Sequence, residues 1–121
     1  MDDQEARARA EDWISAWNAH DIERILSHYT DDFEMSSSFI QLVVGDKTGT
    51  LHGKAAIEAY WRRGFERAPH LQFELLDTLV GIDSLALYYR STVTNNTVVE
   101  VLTMKGDKYS RGHAHYAIKN V

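Results

Sequence analysis

The 121-residue chain contains no cysteine, so its chemistry must come from carboxylates, histidines, hydroxyls or the backbone. Four groupings supply such residues. The stretch VVGDKTGTL, from Val43 to Leu51, delivers Asp46 into a D-K-T-G-T-L sequence like the phosphorylation motif of cation-pumping ATPases. His113 and His115 are two apart in a strand-like run, so they project from one face, as two metal ligands or an acid–base pair would. Asp31 and Asp32 form an adjacent carboxylate pair, and Glu100 is a lone acid within the apolar run TVVEVLTM.

Phosphoryl transfer through Asp46 would need a parallel sheet with crossover helices, a lysine and a downstream acidic cluster holding magnesium. Here the C-terminal half reads as a meander, and its only later Gly-Asp, in KGDK, falls in a predicted hairpin turn. Asp46 and Thr48 are therefore expected to form turns, with Phe39 to Val44 as the apolar end of a strand or a packed loop. Asp31 and Asp32 sit between a helix and a strand, where short acids bind nearby N–H groups. No third ligand accompanies His113 and His115, so neither a metal site nor a cofactor is expected. His20, His28, His52 and His70 lie at corners or on polar faces and read as solvated.

The elements that must position these groups follow from periodicity. Ala10, Trp13, Ile14 and Trp17 recur at helical spacing, as do Ile22, Ile25, Leu26 and Tyr29, with Asp21 placed to cap the second helix. A third helix, carrying Ile57, Tyr60, Trp61 and Phe65, starts near Gly53 and ends before Pro69. DFEMSSSF reads as an early strand. Four period-two runs after Pro69 then predict a meander: LQFELLDTLVG, SLALYYRSTVT, TVVEVLTMKG and KYSRGHAHYAI. With Asn95-Asn96 as a tight turn, Glu100 would lie opposite Ser91, Leu102 opposite Tyr89 and Met104 opposite Leu87. That register turns Glu100 to the more apolar face.

With Lys+Arg 13 against Asp+Glu 18, the formal net charge is -5, and no basic cluster suits a nucleic-acid backbone. No apolar window reaches the roughly 20 residues of a membrane span, and the N-terminus is charged where a signal peptide would be apolar. These features lead us to expect one cytoplasmic domain over residues 1–121 that engages neither nucleic acid nor membrane.

WISAWNAHDIERILSHYTDDF, followed by GKAAIEAYW and the closing RGHAHY, resembles the SnoaL-like, ketosteroid-isomerase-like branch of the nuclear-transport-factor-2-like superfamily. The resemblance implies an α+β fold in which a cone-shaped, curved mixed β-sheet wraps three N-terminal-half helices, the cystatin-like arrangement. It also implies an apolar pocket for a small organic molecule and a homodimer formed through the sheet's outer face. The branch includes isomerases, polyketide cyclases, dehydratases and non-catalytic binding or dimerisation modules, so the site has to decide the activity.

In the steroid isomerase, an aspartate base moves a proton while a Tyr and a protonated Asp stabilise the enolate oxygen. By this resemblance Trp13 stands for the oxyanion Tyr, Ser37 for the base, Glu100 for the protonated Asp and Trp61 for a supporting tyrosine. Trp cannot ionise and Ser has no basicity near neutral pH, so that mechanism does not carry over. The catalytic candidates are Glu100, whose ionised form burial would disfavour, and His115. Trp13, Trp17, Tyr29, Met35, Ser37, Trp61, Tyr89 and Tyr116 are the expected ligand contacts.

Overall fold

Two capped helices open the fold. In the computed structural model, which describes residues 1–118, α1 (Asp3–Asn18) starts where the Asp2 carboxylate accepts from the Glu5 N–H at 2.8 Å. It buries Ala6, Ala10, Trp13 and Ala16, a stripe at helical spacing. α2 (Ile22–Ser27) is capped by Asp21, which accepts from Arg24 N at 3.1 Å, and buries Ile22, Ile25 and Leu26. At the corner, Asn18 is bonded to both backbone groups of Phe73, at 2.6 and 3.0 Å.

β1 (Tyr29–Ser36) follows, then α3 (Ser38–Val44), β2 (Thr50–His52) and α4 (Lys54–Arg67). The meander is β3 (Phe73–Gly81), β4 (Ser84–Ser91), β5 (Thr97–Lys105) and β6 (Lys108–Tyr116). All six strands form one mixed sheet of order β2-β1-β6-β5-β4-β3, parallel only between β1 and β6. One face carries the core with Phe33, Leu85, Leu87, Leu102 and Tyr109; the other carries His113, His115, Val99, Val101 and Tyr88. The expected α+β curved sheet with helices is present, and among the described residues no helix is long and apolar enough to cross a membrane.

Three local expectations are corrected. The segment from Phe39 to Val44 is helical. Ser37 caps it by accepting from Phe39 N at 3.2 Å, and Gly45, at φ 78°, closes it in a left-handed conformation that a side chain would strain. Its β-branched residues favour a strand in isolation, but Ile40 is the one residue of this helix that is buried, and tertiary seating overrides propensity. Tyr29 begins β1 rather than ending α2, because the chain leaves the helix at His28. β2 is an addition absent from the sequence reading.

The third correction is register. Ser91 N donates to Asn96 O at 2.9 Å, so the β4–β5 connection is wider than a two-residue turn. Glu100 therefore faces Leu87 rather than Ser91, Leu102 faces Leu85, and Tyr89 faces Val98. The slip is four positions, an even number, so every side chain keeps its face.

Candidate functional site

Between the concave face of the sheet and helices α1 and α4 lies a cavity of about 350 Å³. That size is at the small end of the range for small-molecule sites. Its buried floor and walls include Trp13, Trp61, Met35, Tyr89, Val98 and Glu100. Its rim is built from exposed side chains on three elements: Phe39 and Val43 of α3, Arg63 and Arg67 of α4, and Val93 of the β4–β5 loop. All three tryptophans of the chain line it, and they pack on one another, with Trp17 edge-on to Trp61 at 4.9 Å and tilted against Trp13 at 5.5 Å. Phe73 and Tyr89, with ring centres 4.5 Å apart, close the far side.

Glu100 is the acid of this cavity. It is 4% exposed, and among the described residues it makes neither a hydrogen bond nor an ion pair. Burial alone pushes its carboxyl up from 4.5 to about 8. Four tyrosines, Tyr29, Tyr60, Tyr89 and Tyr116, feel its charge, and burial followed by Glu100 raises the first and third well above the ordinary phenol value. Gly112 on the neighbouring strand leaves room beside it; a Cβ there would come within 3.6 Å of Glu100 Oε1. Among the described residues three further buried polar atoms lack partners, Thr30 Oγ1 and the indole N–H groups of Trp17 and Trp61, of which the two indoles belong to cavity-lining residues.

The other expected contacts divide. Trp13, Trp17, Met35, Trp61, Tyr89 and Tyr116 line the cavity with Glu100. Tyr29 lies behind the wall, accepting from Trp13 Nε1 at 3.0 Å, which uses up that indole's only donor. Ser37 stands behind Tyr116, their hydroxyls sharing a hydrogen bond of 2.8 Å. His115 is not brought to the cavity: it is exposed on the outer face, where its Nδ1 meets His113 O at 3.2 Å. His113 beside it shares a hydrogen bond of 2.6 Å with Ser36. Among the described residues no group of three His, Asp or Glu side chains could hold a metal ion. Asp46 is partly exposed and occupied in its own turn, accepting from the Thr48 N–H and hydroxyl at 2.9 and 2.6 Å.

Sequence reasoning missed the cationic part of the rim. Tyr60, Arg63, Gly64 and Arg67 fall at i, i+3, i+4 and i+7, one face of α4. That spacing was a usable signal: a stripe that turns from aromatic to cationic along its length marks where a helix leaves the core.

A curved sheet thus cups helices around an apolar cavity with one acid in its wall. The sequence matches the SnoaL-like domain over residues 10–120, and the chain belongs to that family. A SnoaL-like protein of unknown function from Burkholderia thailandensis is 42% identical over 96% of this chain and 97% of its own, with a TM-score of 0.92. AclR, a putative hydroxylase from Streptomyces galilaeus, shares the fold at 19% identity and a TM-score of 0.75, over 94% of this chain and 76% of that one. TerC, co-crystallised with polyporic acid, shares it at 17% identity and 0.73, over 93% and 92%. No curated protein matches the sequence.

Proposed function

We propose that the chain binds a small, largely apolar organic molecule in this cavity and transforms it by cofactor-free acid–base chemistry, with Glu100 transferring the proton. The observation that carries this reading is the unpaired carboxyl in the cavity wall, held protonated up to about pH 8. A structural acid would spend its hydrogen-bonding capacity on neighbours, because an unpaired buried polar group costs stability. Below that pH Glu100 is a donor toward a carbonyl or hydroxyl oxygen. Once it has given up its proton, its carboxylate is poorly solvated and strongly basic, suited to taking a proton back from carbon. Isomerisation, cyclisation and dehydration all use that pair of steps. The small organic ligand of TerC supports the choice of ligand class.

A second reading, a non-catalytic binding module, is favoured by one observation. The groups at the isomerase's oxyanion and base positions, Trp13 and Ser37, are both committed to internal hydrogen bonds. A thermal-shift screen over lipids, polycyclic aromatics and terpenoids would find a ligand, and turnover of that ligand by wild type and Glu100→Gln separates the two. Binding retained with turnover lost supports catalysis. Equal turnover in both proteins overturns Glu100 as the proton carrier, and a ligand recovered unchanged from wild type supports the module. Self-association through the sheet's outer face belongs to the same proposal, supported by the partly exposed strip of Leu79, Tyr88, Val99 and Val101.

A further inference from the structure

The rim of the cavity differs in charge from everything beneath it. Arg63 and Arg67 lie one turn apart on α4, both line the opening, and both are exposed. Like charges at this spacing repel on a helix. Elsewhere Arg9, Arg24, Lys54, Arg62 and Arg111 each meet a carboxylate. Arg63 and Arg67 meet none among the described residues; Arg7, Lys47, Arg90, Lys105 and Lys108 meet none either, but of these cations only Arg63 and Arg67 line the cavity, in a protein whose net charge is -5. Below the pair the wall is aromatic and aliphatic, down to the unpaired Glu100. The volume of about 350 Å³, at about 30 Å³ per water-sized group, admits roughly a dozen non-hydrogen atoms.

Resting on the binding reading above, we propose that the ligand is an amphiphilic carboxylate whose anionic group docks at Arg63 and Arg67 while its apolar body fills the cavity and its far end reaches Glu100. Two guanidinium groups present paired donors that match a carboxylate's two oxygens. An apolar interior rejects the charged group, so the rim fixes which end enters first. Arg63 and Arg67 thus set specificity without taking part in proton transfer.

All three tryptophans line the cavity, so quenching of intrinsic fluorescence reports occupancy. The probes are naphthoate, cinnamate and decanoate, each of about the right size, with their primary amides and naphthyl phosphate. Wild type is compared with Arg63→Gln/Arg67→Gln and with Arg7→Gln/Arg90→Gln, a control that removes the same charge from exposed sites outside the cavity. We expect at least one carboxylate to bind tenfold or more tightly than its amide. That preference should disappear in the rim variant, with amide affinity unchanged, and persist in the control. Carboxylate binding that weakens at higher salt in wild type and in the control, but not in the rim variant, supports the same contact.

Amides that bind as tightly as carboxylates, or a preference that survives in the rim variant, overturn the carboxylate assignment while leaving an apolar ligand site standing. A preference for naphthyl phosphate over naphthoate assigns the rim to phosphate esters and overturns the proposal as stated. Quenching by none of the probes overturns it together with the small-molecule reading on which it rests.

Discussion

Glu100 makes the protein's stability depend on pH, and the direction follows from which state holds the proton. Between 4.5 and about 8 the folded chain keeps the Glu100 proton while the unfolded chain releases it. Its contribution to stability is therefore fullest below 4.5, falls by up to about 1.4 kcal/mol per pH unit across that window and levels off above about 8. Glu100→Gln cannot ionise, so denaturant midpoints measured from pH 4.5 to 9 should lose this slope, and the variant should be the more stable protein at pH 8. Equal slopes in both proteins would place the proton elsewhere. The tyrosines facing Glu100, on β1, α4, β4 and β6, titrate above this window and do not mask it. Asp46 teaches the opposite lesson at the same scale: a motif that names a nucleophile in a pump is here an exposed turn, its carboxylate held low by Thr48.

At the scale of elements, the least conspicuous residue with the most consequence is Ser37. Its hydroxyl both caps α3 and bonds Tyr116, so it ties the rim helix to the last strand of the sheet. Ser37→Ala should cost about 1 to 2 kcal/mol, read from urea unfolding, since a lost cap is worth about 1 kcal/mol and a buried partner is left unpaired. Hydrogen exchange in α3 should rise more than in α1, which keeps its own cap at Asp2. Uniform exchange in both helices would show that Ser37 is not the tie.

The helices α1, α2 and α4 and the four strands of the meander were legible because apolar spacing and caps agree there. Phe39–Val44 was not legible, because its local preference for strand contradicts its setting. The face of Glu100 survived a wrong turn assignment because the error was even. A slip of one would have sent it to the outer face with Val99 and Val101.

For the whole molecule, the outer face of the sheet is the surface with most at stake. Val99 and Val101 are half-buried on this face, and Leu79 and Tyr88, more exposed, extend the strip. The proposed dimer would cover it. Sedimentation at micromolar concentration should give a dimer for wild type and a monomer for Val101→Lys with unchanged circular dichroism. A wild-type monomer would leave that face free and end the dimer proposal.

What the residues alone determined was periodicity and type: an α+β chain, a SnoaL-like resemblance, and a buried acid on an apolar strand. Those are local properties, written in spacings of two and of three to four residues. Tertiary structure decided the rest. Only packing could show that Glu100 has no partner among the described residues, that Trp13 and Ser37 spend their hydrogen bonds internally, that His115 faces away, and that Arg63 and Arg67 stand over the opening. The reason is physical: a side chain's availability depends on what remains unsatisfied after every neighbour has been placed, and those neighbours come from α1, α4, β1, β4 and β6, far apart in the chain.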